Sequence, residues 1–118
     1  MNQHRKRTEV EFRGEVTVVY FVDRRILDEQ NVQRIGESLF NLVDELKKSK
    51  IILNFCNVEF LCAAMIAKLI TLNKKCERAK GKLVLCQMCQ QVYEVFEITK
   101  LKTLIRIVGT EQEAFQEF

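Results

Sequence analysis

Ile51-Ile52-Leu53-Asn54-Phe55-Cys56-Asn57-Val58-Glu59-Phe60-Leu61-Cys62-Ala63-Ala64-Met65 is the stretch on which the fold turns. Its opening run, Ile51 to Phe55, is nearly continuously apolar, as expected of a strand buried on both faces by parallel pairing between helices. From about Ala63 to Ala79 the pattern changes to a helical one. Ile66, Leu69, Ile70 and Cys76 fall on one face, and Lys68, Thr71, Lys74, Lys75 and Arg78 fall elsewhere. Gly81 is placed to end that helix in the usual way, just past its last turn.

Upstream, Val10 and Phe12 alternate with Glu9, Glu11 and Arg13, the period of a half-buried strand. Arg13-Gly14-Glu15 offers a turn before a second run, Val16 to Val22, and Gly14 can take a positive φ, so the two runs form a hairpin. Asp28 is a candidate N-cap for a helix whose Val32, Ile35, Leu39, Leu42, Val43 and Leu46 recur at helical spacing. Downstream come a strand (Leu83 to Cys86), a short helix carrying Val92, Tyr93, Val95 and Phe96, and a last strand from Leu104 to Val108. Thr110 with Glu113 three residues on is a capping box for a closing helix, whose Ala114, Phe115 and Phe118 would pack on the sheet. The order β-β-α-β-α-β-α-β-α predicts one α/β domain, a mixed sheet packed against about four helices. Periodicity leaves open whether helices cover one face or both.

The bulk properties agree with a single domain over residues 8–118, preceded by a basic tail over residues 1–7. Apolar residues (47%) can supply one core, and charged residues (30%) suit a solvated surface. The net charge of +3, from 19 basic and 16 acidic residues, is too balanced to argue for nucleic acid. No apolar run is long enough to span a membrane, and the first residues lack a signal peptide's apolar stretch. Five cysteines without a secretion signal therefore point to reduced thiols in the cytoplasm.

The segment Val58-Glu59-Phe60-Leu61-Cys62-Ala63-Ala64 resembles the "x-V-x-F-(hydrophobic)-D/S-S-S/A" turn of anti-sigma-factor antagonist (STAS) domains. Leu27-Asp28 is similar to the Leu-Asp pair opening the first helix of that family. Glu97-Ile98-Thr99-Lys100-Leu101 resembles the family's "L-x-x-T-G-L" stretch, with Lys100 where glycine is common. The resemblance covers residues 8–118 and implies a five-element sheet acting as a protein-binding module without a cofactor. Its implied partner is an ATPase-fold anti-sigma-factor kinase or another STAS protein, and a homodimer is open to it. In the family, phosphorylation of the serine or threonine opening the second helix is the switch, adding about −1.5 to −2 charges to a docking surface. The matching position here is Ala63, and Ile51 to Ile70 contains no Ser, Thr or Tyr. Two readings follow: a constitutive docking partner that no kinase silences, or a structural subunit that self-associates in a signalling scaffold. The expected docking surface combines Asp23, Arg24, Arg25 and Asp28 with Phe60, Cys62, Ala63, Ala64 and Met65.

Catalysis finds no support. The single histidine, His4, lies in the tail, no pair of acidic residues stands out, and no glycine-rich phosphate loop is present. Cys86-Gln87-Met88-Cys89 is a C-x-x-C, and with Cys56 and Cys62 it could offer four thiols to zinc. Cys86 within an apolar strand and Cys56 directly after one instead read as small hydrophobes, and the six-residue separation of Cys56 and Cys62 is not a compact ligand spacing. The lysines and arginine of the second helix and its exit (Lys68, Lys74, Lys75, Arg78, Lys80, Lys82) read as a solvated face.

Overall fold

The computed structural model describes residues 7–118. The basic run assigned to the tail, and His4 with it, lies outside them except for Arg7, which belongs to the domain: its guanidinium pairs with Asp23 at 3.1 Å. The elements are β1 (Thr8–Arg13), β2 (Val16–Phe21), β3 (Arg25–Ile26), α1 (Glu29–Asp44), β4 (Lys50–Asn54), β5 (Phe60–Leu61), α2 (Ala63–Arg78), β6 (Lys82–Cys86), α3 (Gln90–Ile98), a 3-10 turn (Leu101–Thr103), β7 (Arg106–Ile107) and α4 (Glu111–Phe115). The expected order holds, with two additional two-residue strands, β3 and β5.

The main sheet runs β1-β2-β4-β6-β7, antiparallel between β1 and β2 and parallel elsewhere. Alternation along each strand splits the core in two. Val19, Phe21, Ile51, Leu53, Leu83 and Leu85 face α1, α2 and α3. Val16, Val18, Ile52, Val84 and Cys86 face the other way, against Ala114 of α4 with Phe115 beside it. Both faces are thus covered, which is why the period of two is invisible in Ile51 to Leu53, each fully buried. Side chains of this size each contribute roughly 1.5–3 kcal/mol by leaving water.

Local chemistry sets several boundaries. The Asp28 carboxylate accepts from Asn31 N at the start of α1, and Thr110 and Glu113 complete the capping box of α4. Gly14 takes φ +63° in the hairpin loop. Gly81 does not act as the helix stop: Lys80 takes the left-handed conformation (φ 63°). Gly81 is needed for a different reason, because a Cβ there would stand 2.0 Å from the Ser49 carbonyl oxygen where β4 and β6 begin.

Further expectations are corrected, beginning with Phe118, which is 39% exposed and does not join Ala114 and Phe115 on the sheet. Val10 and Phe12 do not enter the core; at the sheet edge, beyond the cover of α1, they are 37% and 54% exposed. Leu46 lies past the end of α1 and is exposed as well. The last strand shrinks to Arg106–Ile107, because Lys100 adopts φ 62° and opens the 3-10 turn, leaving Leu104 exposed. Lys100 occupies the glycine position of the family stretch, and its left-handed backbone explains why glycine suits it.

Candidate protein-docking rim

Three loops gather at the carboxyl ends of β2, β4 and β6, and the small β3–β5 sheet joins two of them. It is parallel and pairs Arg25 with Phe60 and Ile26 with Leu61. Glu59 N donates to Arg24 O at 2.7 Å, and Cys62 N donates to Ile26 O at 3.0 Å. Ile26 and Leu61 point inward and are buried. On the outer side, the Arg25 guanidinium sits 5.9 Å from the Phe60 ring centroid, and Arg24 pairs with Glu59 at 3.4 Å. Both partners of that ion pair are well exposed, so it contributes under about 1 kcal/mol. Its role is to align the two loops. Val22, Leu27 and Phe60 add exposed apolar area to the same rim.

Two of the helices that start at this end of the sheet differ from the other two. α2 begins at Cys62 and α3 at Cys89, and neither thiol makes a side-chain cap bond. No acidic residue lies in the first turn of either helix. By contrast, α1 and α4 have capping side chains and acidic first turns. The rim therefore presents two helix N-termini with partial positive charge and unsatisfied N–H groups. The Cys89 Sγ approaches Val58 O at 3.6 Å, bringing the start of α3 against the loop that leads into α2. Residues 7–114 match the description of the STAS domain family.

The chain belongs to the STAS domain family. The STAS fold is a regulatory, non-enzymatic kind of domain. Similar solved structures include a STAS domain protein from Planctomyces limnophilus, 24% identical, TM-score 0.83, covering 93% of this chain and 96% of that one. An anti-sigma factor antagonist from Mycobacterium paratuberculosis is 18% identical, with TM-score 0.82 over 93% and 91% of the two chains. The Bacillus cell fate determinant SpoIIAA in its phosphorylated form is 18% identical, with TM-score 0.73 over 93% and 97%. No curated protein matches the chain significantly.

This STAS domain brings together most of the residues expected at the rim. Arg24, Arg25 and Phe60 lie side by side, and Cys62, Ala63 and Ala64 follow directly at the half-exposed to exposed start of α2. Three expected residues stand apart. Met65 is fully buried, because it continues the inward face of Leu69 and Leu72, so it supports the rim from beneath. Asp23 turns its carboxylate to Arg7. Asp28 is occupied in capping α1. Sequence reasoning missed Val22 and the start of α3 at Cys89. The available signal for α3 was the C-x-x-C that ends at Cys89, whereas nothing in the pattern Val22-Asp23-Arg24-Arg25-Ile26-Leu27 set Val22 apart from the strand before it.

Among the described residues no three His, Cys, Asp or Glu side chains converge as a metal site. Cys86 lies under α4, whereas Cys62 and Cys89 lie on the rim. Cys56 does not behave as a buried hydrophobe; it is exposed in the turn after β4. Burial pushes the Cys86 thiol up to about 12, so it stays protonated. No helix among the described residues is long and apolar enough to cross a membrane.

A second polar cluster lies on the opposite face. Glu111, the first residue of α4, accepts from the Tyr20 hydroxyl at 2.7 Å and from Asn54 Nδ2 at 2.9 Å. Arg13 stands 3.6 Å from the same carboxylate. Burial and this neighbouring acid raise the Tyr20 pKa strongly, so the phenol remains a donor. At the far end of α4, Glu117 is held by Lys82 at 2.9 Å and Arg106 at 3.0 Å. These groups latch α4 to the sheet.

Proposed function

We propose that this chain is a regulatory docking module of the anti-sigma-factor-antagonist type, engaging an ATPase-fold kinase partner through the rim formed by Arg24, Arg25, Phe60, Cys62, Ala63 and Ala64. One observation carries the reading: β3 and β5 pair so that Arg25 and Phe60 stand together beside the uncapped start of α2. Exposed apolar groups flanked by arginines, next to free helix N–H groups, suit a partner loop bearing carboxylates or main-chain carbonyls. Ala63 occupies the family's acceptor position with no hydroxyl on either neighbour, so docking is constitutive with respect to phosphorylation at this turn. The site of action is the cytoplasm, in keeping with five free thiols.

The test is co-purification from source lysate with the tagged chain, using Ala63→Asp and Phe60→Ala as paired variants. Recovery of an ATPase-fold kinase by the parent and its loss with both variants is the expected result. Retention of the kinase by both variants would remove the rim from the interface.

A further inference from the structure

The outer edge of the sheet carries a feature that rim docking does not use. Five of the six residues of β1 are exposed, and among the described residues it borders only β2. Val22 N donates to Arg7 O, one pair beyond Thr8 and Phe21, so the odd-numbered residues of β1 turn their N–H and C=O toward β2. Thr8, Val10 and Phe12 therefore aim theirs at the outer edge. Val10 and Phe12 also lie on the helical face, opposite Val19 and Thr17, while Glu9, Glu11 and Arg13 lie on the other. An unblocked strand of this kind is a template for another strand.

We infer that the occupant is a second copy of this chain, added antiparallel through β1 so that Val10 pairs with the second copy's Phe12. The charges select that register. Opposed residues in an antiparallel pair share a face, so this alignment sets Glu9 against the second copy's Arg13, twice by symmetry. Pairing Val10 with the second copy's Val10 would set Glu9 against Glu11 twice. Pairing Phe12 with Phe12 would set Glu11 against Arg13 twice but offset this by setting Glu9 against Glu15 twice, and would leave Val10 opposite Gly14 with no side chain to pack on. The chosen register opposes like charges only once, Glu11 with Glu11 on the two-fold axis, and each of these is already bound to its own Arg13 at 2.5 Å. Glu9 has no ion pair among the described residues and gains one. The Val10–Phe12 pairs exchange the outward N–H···O bonds and bury both exposed side chains, with Lys48 Nζ over each Phe12 ring at 5.4 Å. The two sheets become continuous, and β2 of one copy runs opposite to β2 of the other. The two rims then face opposite ends of the dimer and remain open.

The test is sedimentation of the full chain across a micromolar dilution series, where a dimer of 13.9 kDa chains is expected. Glu9→Arg and Arg13→Glu, each alone, place like charges at both paired positions and should raise the dissociation constant by about tenfold. Mixing the two variant chains restores opposite charges at both positions, so the mixture should associate as the parent does. Val10→Pro removes an outward donor without touching the β1–β2 ladder, and should give monomers whose circular dichroism matches that of the parent. A parent that is monomeric throughout would overturn the inference, as would a dimer indifferent to Val10→Pro and Glu9→Arg. Failure of the mixture to re-associate would overturn the register.

Discussion

In Ala63→Asp a carboxylate enters the first turn of α2, where no acidic residue and no side-chain cap are present. Stability and docking should then move in opposite directions. An acid at a helix N-terminus stabilises by about 0.3–1 kcal/mol. The usual cost of Asp in a helix comes from its competition for backbone groups, and that competition is harmless where the N–H groups are free. A net gain of about 0.5 kcal/mol, against an unfolding entropy of ~0.25 kcal/mol/K for 118 residues, corresponds to about 2 °C in Tm. Ala63→Asn supplies the uncharged control. The pH dependence has a definite sign. The helix end lowers the folded carboxyl pKa below its unfolded value of about 3.9, so the gain is complete above that value and disappears as pH falls through the folded one. Thermal melts of both variants at neutral and acid pH read this directly. If Ala63→Asp melts below Ala63→Asn at neutral pH, the N–H groups of Ala63 and Ala64 are not free, and the electrostatic account of the rim fails.

Gly81→Ala should destabilise by about 2 kcal/mol or more, since the new methyl meets the fixed Ser49 carbonyl; Lys100→Gly should stabilise by about 0.5–1 kcal/mol by relieving φ 62°, both read by urea denaturation. Tyr20→Phe should cost about 1–2 kcal/mol by leaving the Glu111 carboxylate short of a donor. A thiol reagent should reach Cys56, Cys62 and Cys89 in the native protein but Cys76 and Cys86 only on opening, and Tyr20→Phe should speed the reaction of Cys86 selectively. Hydrogen bonds from Arg106 and then Lys82 hold the Glu117 carboxyl down to about 2, so its contribution is present above the ordinary carboxylate range and lost as pH falls toward that value. Glu117→Gln should remove this acid-sensitive component from the stability profile, and an unchanged profile would refute the assignment.

What the sequence made legible was whatever local chemistry decides. Asp28 and the Thr110–Glu113 pair announce helix starts because capping involves neighbours in the chain. The run Ile51 to Phe55 announces a strand covered on both sides because its apolar character has no gap. Phe12 misled because alternation reports a preference, whereas burial depends on whether a helix reaches that edge. Gly81 misled because the decisive contact, with Ser49, joins residues far apart in the chain. The rim was foreseen as two loop segments, but β3 and β5 are two residues each, too short for any period to show. Met65 could have been placed correctly from its spacing to Leu69 and Leu72, which puts it on the buried face.

The distribution of helix caps is the strongest sign that the rim is more than a by-product of folding. A missing N-cap costs a helix about 1 kcal/mol. A chain selected only for stability would place a hydroxyl or carboxylate at Cys62 and Cys89, as it does at Asp28 and Thr110. The two helices lacking caps are the two whose starts meet each other beside the exposed Arg25–Phe60 pair. The capped α4 is latched to the sheet at both ends, and the start of α1 is closed by Asp28. Among the described residues, α-helix starts without a side-chain cap are thus confined to the surface proposed for docking, where a partner's acceptors would supply what the chain itself omits. Restoring a cap with Cys62→Asp should therefore stabilise the free domain and weaken its complex.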